Sequence, residues 1–301
     1  MERWGRMQNG KEGCQMEEYG DIHGNPKRSA GHGRIYQWLR SRNGNCRLGL
    51  LFVAVILSLV FVSLFFTPYD PDAMNAGLKL DGPSLSHPFG TDQFGRDILS
   101  RVMEGTRTTC LIALITVAAG GGIGTILGAL TGYFGGWLDE ILMRVNDMIA
   151  AFPSILLALV LISVIGTGKY NIVAALSIIF IPSFARMVRG EVAVQKERDY
   201  VKNARVMGVS HLRIIFVHIL PNILPVLLSA ITIGFNNAVL AEAGMSFLGL
   251  GVQPPDSSLG RMLSEAQGFL LNAPWYGIFP GLILVITVLG FGLISENSRD
   301  K

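Results

Sequence analysis

Six stretches of this chain are apolar for long enough to cross a lipid bilayer, and nothing else in the sequence limits its fold as much. A span requires about 20 predominantly apolar residues. The stretches run from Leu48 to Thr67, Thr108 to Tyr133, Ile149 to Ile165, Ile172 to Val188, Ile223 to Met245 and Ile278 to Ile294. Inside a bilayer every backbone polar group must be satisfied within the protein, so such segments become helices. Pro153 and Pro182 interrupt the third and fourth, and Gly166-Thr167-Gly168-Lys169 leaves a very short turn between them. Neighbouring helices can take up the carbonyls that a proline frees. The predicted fold is an all-α integral membrane bundle of six helices.

Composition agrees. The 301 residues are 50% hydrophobic and 16% charged, with 36 glycines; a soluble domain carries about a quarter charged residues and roughly 7% glycine. A mean hydropathy of +0.43 is too high for one anchor on a soluble body. Soluble enzymes, disordered proteins and nucleic-acid binders are therefore excluded. Cys14, Cys46 and Cys110 have no metal or redox spacing and argue against a disulfide framework. The first 46 residues are polar and glycine-rich, without the apolar core of a cleaved signal. They read as a mobile cytosolic leader. Residues 47–107 then hold the first helix and an external loop, and 108–301 a five-helix core.

Basic residues set the orientation. With the amino terminus in the cytosol, only Lys79, Arg96, Arg101, Arg107, Lys169 and Arg261 of the 25 Lys and Arg fall outside. Both termini are thus expected in the cytosol. Gly120, Gly124, Gly128 and Gly132 recur every fourth residue and make one smooth helix face, suited to close packing or to sliding.

The loop after the fourth stretch, residues 186–222, is the most informative. It contains Arg198-Asp199-Tyr200-Val201-Lys202-Asn203-Ala204-Arg205-Val206-Met207-Gly208-Val209-Ser210 and closes with His218-Ile219-Leu220-Pro221-Asn222. The pattern predicts two short helices and a turn. Asp199 can cap the first helix, Gly208 can supply a left-handed stop, Ser210 can cap the second, and Pro221 can break the run before the fifth span. Tyr200, Val201, Ala204 and Met207 fall at helical spacing. Such a hairpin can be a connector, lie on lipid, or fit a partner's groove.

The spacing resembles the coupling loop of ABC-transporter permease subunits, in which a Glu-Ala-Ala triplet is followed one helical turn later by a glycine and the motif closes on Leu-Pro. Ala204, Gly208, Leu220 and Pro221 match; Lys202 and Asn203 depart from the usual Glu and Ala, and His218 from the usual Ile. Two further segments look like signatures of the second permease of the dipeptide/oligopeptide/nickel importer family. One is His87-Pro88-Phe89-Gly90-Thr91-Asp92-Gln93-Phe94-Gly95-Arg96-Asp97 with Ile98-Leu99-Ser100-Arg101; the other is Ala243-Gly244-Met245-Ser246-Phe247-Leu248-Gly249-Leu250-Gly251-Val252-Gln253-Pro254-Pro255. The resemblance covers about residues 45–300, although Ser295-Glu296-Asn297-Ser298-Arg299-Asp300 departs from the family's usual ending.

The resemblance implies a type I importer permease in a cytoplasmic membrane, paired with a second permease, two cytosolic ATPases and an extracytoplasmic solute-binding protein. The ATPases would use ATP and Mg; this chain would bind no cofactor and catalyse nothing. ATPase closure would pull on the hairpin between Tyr200 and Pro221, with Gly208 holding the bend and Ala204 and Met207 filling the ATPase groove. The expected substrate is a di- or oligopeptide, with nickel or a nickel chelate as the alternative. A second alternative, an ATP-independent carrier or a membrane scaffold, predicts inverted repeats or intramembrane ion ligands, and neither is evident.

The sequence has no phosphate-binding Gly-x4-Gly-Lys-Ser/Thr loop, since Gly168-Lys169 is followed by Tyr170. Asn236, Asn237 and Glu242 are the polar residues of the fifth span; they either line a translocation path or bond neighbouring helices. Asp92, Arg96 and Asp97 read as a cap and salt bridge ordering the outer loop, with no nucleophile to suggest catalysis. Trp137, Leu138, Ile141, Leu142, Val145 and Ile149 form an apolar stripe opposite Asp139, Glu140, Arg144 and Asp147, as on a helix lying at the membrane surface.

Overall fold

A computed structural model describes residues 44–299; the expected leader lies outside them up to residue 43. The described chain is helical, and in order its main helices are α1 (Gly44–Ser63), α2 (Ile98–Phe134), α3 (Gly136–Ala150), α4 (Ser154–Ile165), α5 (Lys169–Lys196), α6 (Asp199–Val206), α7 (His211–Phe247), α8 (Leu259–Ala266) and α9 (Trp275–Arg299). Helices α2, α5, α7 and α9 are long and apolar enough to cross a membrane. The expected count of six resolves into these four, a broken pair and one shorter apolar helix.

The broken pair is α3 and α4, bent by 90° where one continuous third span was expected. Pro153 causes the break. It holds φ −54° and ψ 125° immediately before α4, lacks an N–H, and disfavours helical geometry in the residue before it. Only 12 residues, about 18 Å of helix, remain in α4. Pro182, by contrast, sits inside an unbroken α5. The first helix also stops before the expected Thr67: Leu64, Phe65 and Phe66 close back on Phe61 and Val62. Helix α2 begins ten residues ahead of the expected Thr108, because Asp97 caps it.

Glycines build the central packing. On Gly120, Gly124 and Gly132 of α2, a Cβ would stand 2.6, 2.7 and 2.6 Å from the carbonyl oxygens of Ser177, Ile181 and Arg189 of α5, and on Gly128 it would collide with that of Ala185. Two backbones therefore meet directly at four successive glycines, over more than three turns, which makes the stripe a packing surface. Gly49 of α1 and Gly290 of α9 repeat the device: their Cβ positions lie 2.9 Å from Leu293 Cβ and 3.0 Å from Phe52 Cβ.

Helix α2, 37 residues and about 55 Å long, joins two separate assemblies at its ends. One is the loop of residues 68–97 with α8; the other is the α6 hairpin.

Candidate functional site

The hairpin is seated in a core. Val201 and Ala204 of α6 are buried with Ala129 and Tyr133 of α2, Val188 and Val192 of α5, and Ile214, Ile215, Ile219 and Ile223 of α7. Gly208 has φ +75° and closes a two-bond helix stop: its N–H donates to the Arg205 carbonyl at 3.0 Å, and that of Val209 to the Ala204 carbonyl at 3.1 Å. No atom lies within 4 Å of where its Cβ would be, so conformation alone demands glycine here.

Several local expectations are corrected. Arg198, not Asp199, stands at the amino-terminal cap of α6, and Asp199 lies in the first turn without a side-chain capping bond. Its charge there still suits the helix dipole. Ser210 occupies the cap position of α7, but its hydroxyl makes no cap bond. Pro221 does not break the run: α7 is continuous from His211 to Phe247. A π-helical stretch, Ile214–Ile219, precedes the proline. The Leu220 N–H reaches back to the Ile215 carbonyl, and this wider turn makes room for the ring. Leu220 packs on the core while Pro221 is exposed.

The exposed surface of α6 agrees with expectation at Met207 and departs from it at Ala204. Ala204 is 4% exposed and belongs to the chain's own core, so it does not fill a groove on another protein. Val206 and Met207 are the apolar groups that project, at 88% and 75% exposure. Asn203 is exposed beside them. Tyr200 donates to Gln195 Oε1 at 3.0 Å, and Lys202 Nζ lies 3.7 Å from Glu197 Oε2.

At the other end of α2, the motif of residues 87–101 folds around buried charges. Asp97 Oδ2 accepts from the N–H and hydroxyl of Ser100 at 2.8 and 2.7 Å, while Oδ1 meets His87 Nδ1 at 2.9 Å. Asp92 Oδ1 accepts from the N–H groups of Phe94 and Arg96, and its Oδ2 accepts from Arg96 Nε at 2.7 Å and Arg101 Nη1 at 2.8 Å. Thr91 pairs with Asp97 in an isolated bridge. Gly90 and Gly95 have φ +75° and +74°, and a Cβ on either would strike the backbone of Asp81 or Asn75. Cap and salt bridge thus stand as the sequence suggests.

The sequence gives no signal for the partner of this cluster. Glu265 of α8 accepts from Arg101 at 3.0 Å, the Tyr276 hydroxyl at 3.0 Å and Arg261 Nε at 3.0 Å. Burial opposes the charge of Glu265, but Arg101, with help from Tyr276 and Arg261, outweighs it and holds the carboxyl below its ordinary value.

The three polar residues of α7 part company. Asn237 lines an open cleft of about 590 Å³ between α4, α5 and α7, together with Ser154, Ser183 and otherwise mainly apolar side chains such as Phe180 and Met187. Asn236 faces away from the cleft, towards Gly292 of α9. Glu242 is fully buried and accepts from the Ser246 hydroxyl at 2.6 Å. It bonds within the bundle rather than lining the cleft. The α3 helix carries the expected wet face: Asp139 makes a two-point pair with Arg189, its Oδ2 2.6 Å from Nη2, and Asp147 meets Arg186 at 2.9 Å. Trp137 and Met148 project at 76% and 61% exposure. No group of three or more His, Cys, Asp or Glu that could hold a metal ion occurs among the described residues.

Comparison with known proteins converges on one family. The model described as "Binding-protein-dependent transport system inner membrane component" matches residues 124–300. The glutathione transport system permease protein GsiD of Pectobacterium atrosepticum is 41% identical over 83% of this chain and 83% of its own. The dipeptide transport system permease protein DppC of Alkalihalophilus pseudofirmus is 38% identical, covering 84% of each chain. DppC of Haemophilus influenzae is 37% identical over 86% of this chain and 90% of its own. The family match and these three relatives agree over most of the described helices, and the chain belongs to the family of inner membrane components of binding-protein-dependent transport systems.

Proposed function

We propose that this chain is one of two permease subunits of an ATP-driven importer for dipeptides or other short peptides. The observation that carries the reading is identity of 37–41% along more than four-fifths of the chain to permeases named for dipeptide and glutathione transport. The cleft at α4, α5 and α7 is the half-path that a second permease closes, and Asn237 is its polar contact for the peptide backbone. Both termini and the hairpin lie in the cytosol, where Val206, Met207 and the carboxyl-terminal end of α6 meet an ATPase. The loop of residues 68–97 faces the solute-binding protein. ATP and Mg belong to the ATPases, and the chain contributes motion rather than chemistry. Closure of the ATPases moves the hairpin, and the helix bundle rocks between inward-open and outward-open states.

The test is reconstitution in proteoliposomes with the second permease, the ATPases and the solute-binding protein. ATP-dependent uptake of a labelled dipeptide or glutathione, reduced in an Asn237→Leu variant that still assembles, supports the reading. ATP-dependent uptake of Ni²⁺ alone would overturn the peptide assignment. Absence of any ATPase from the purified assembly would overturn the importer.

A further inference from the structure

Tyr133, in the last turn of α2, is 3% exposed, and its hydroxyl lies 2.8 Å from Nδ1 of His211, the first residue of α7. The guanidinium of Arg205 stands 5.0 Å over the same ring. The His211 ring lies 5.6 Å from that of Tyr133 and 6.0 Å from that of Phe134. Arg205 and His211 flank the Gly208 turn on its two sides. The hairpin therefore grips one residue of α2 from both of its arms.

This arrangement does what the apolar core beneath it cannot. Burial of Val201 and Ala204 is non-directional, and it tolerates a small rotation of the hairpin. A hydrogen bond weakens steeply when misaligned. Beyond His211 lies the π-helical stretch Ile214–Ile219, a type of insertion found often at functional sites. Without a fixed point ahead of it, a push on α6 would be taken up in that wider turn. With one, the push passes to α2, which is locked to α5 through the glycine face.

We propose that the Tyr133–His211 hydrogen bond is the positioning contact that hands hairpin movement to α2. The proposal rests on the reading of the hairpin as the ATPase contact. Its readout is therefore the amount of substrate moved per ATP hydrolysed, in the complete assembly in proteoliposomes, with labelled dialanine or glutathione as the probe. Tyr133→Phe removes only the hydroxyl and keeps the ring under Arg205. We expect the variant to assemble and to hydrolyse ATP within about twofold of the unaltered complex, while transport per ATP falls about fivefold, the weight of one net hydrogen bond. His211→Ala should match it, and the double variant should be no worse than either single one. His211→Asn, which keeps a hydrogen-bonding atom near the place of Nδ1, should recover at least half of the loss. Unchanged transport per ATP in Tyr133→Phe, or equal values for His211→Ala and His211→Asn, would overturn the proposal. An unaltered complex that neither hydrolyses nor transports would instead strike the functional reading beneath it.

Discussion

Arg101 and Glu265, 164 positions apart in sequence, meet at 3.0 Å with side chains only 1% and 9% exposed. The pair ties the first turn of α2 to α8, and Asp92, Arg96, Arg261 and Tyr276 complete the network around it. Removing one member of a buried pair leaves its partner's charge uncompensated, which costs about 3–5 kcal/mol. Glu265→Ala should therefore lower the unfolding temperature of the detergent-solubilised chain by several degrees, whereas Glu265→Gln, which keeps an acceptor for Tyr276, should cost less. Equal melting of Glu265→Ala and the unaltered chain would remove the network as a source of stability.

The same carboxyl makes stability depend on pH. Its folded value lies below the ordinary 4.5, so the folded state binds the proton less readily than the unfolded chain. Stability from Glu265 is then fully present above about pH 4.5 and is lost as pH falls through the lower folded value. Melting temperature measured from pH 7 downward should stay level as far as this group is concerned and then drop below about pH 4.5. In Glu265→Gln the acid-side drop should be smaller, and an unchanged drop would contradict the assignment.

The glycine face offers a control within one helix. Gly128→Ala would drive a methyl into the Ala185 carbonyl and to within 2.9 Å of the Arg189 nitrogen, whereas Gly122→Ala meets nothing within 4 Å. Overpacking costs about 1–3 kcal/mol, while alanine at an open helical position gains up to about 1 kcal/mol. Chemical or thermal unfolding should rank Gly122→Ala at or above the unaltered chain and Gly128→Ala below it.

At the hairpin, strain rather than space decides. A side chain at φ +75° costs roughly 1–2 kcal/mol, and β-branching makes it worse. Transport should be abolished in Gly208→Val and largely kept in Gly208→Asn, since asparagine tolerates this conformation. Lys202→Glu, at an exposed place with only a long pair to Glu197, should have a smaller effect than Gly208→Val. The reverse order would mean that charge, not the turn, makes the ATPase contact.

What could be read ahead followed from local rules. The stop at Gly208, the cap at Asp97 and the close-packed face at Gly120–Gly132 are each decided within one or two turns of chain. Expectation and structure part where distant segments intervene. Pro221 looked like a break because its residues alone do not reveal a π turn upstream. Ala204 looked like part of a docking face because helical spacing marks an apolar side without saying what covers it; the cover is Ile214 and Ile215, beyond the turn. Glu242 and Asn237 differ by little more than a turn, and only the placement of α4 and α5 separates a buried bond from a cleft wall. Tyr133 carries no local signature, since its partners arrive from other helices, and Glu265 shows only an ordinary i,i+4 pair with Arg261 that says nothing of Arg101 and Tyr276.

The glycine seam has a mechanical corollary. Where α2 and α5 touch, carbonyl oxygens stand where side chains would normally interleave, so no compliant layer separates them. A small axial slip of either would bring Ile181 and Ala185 carbonyls against neighbouring turns rather than against yielding methyl groups. The two helices therefore behave as a single strut, and any change of shape in this chain has to hinge at its softer boundaries: the bend at Pro153 and the open side where α7 faces the cleft.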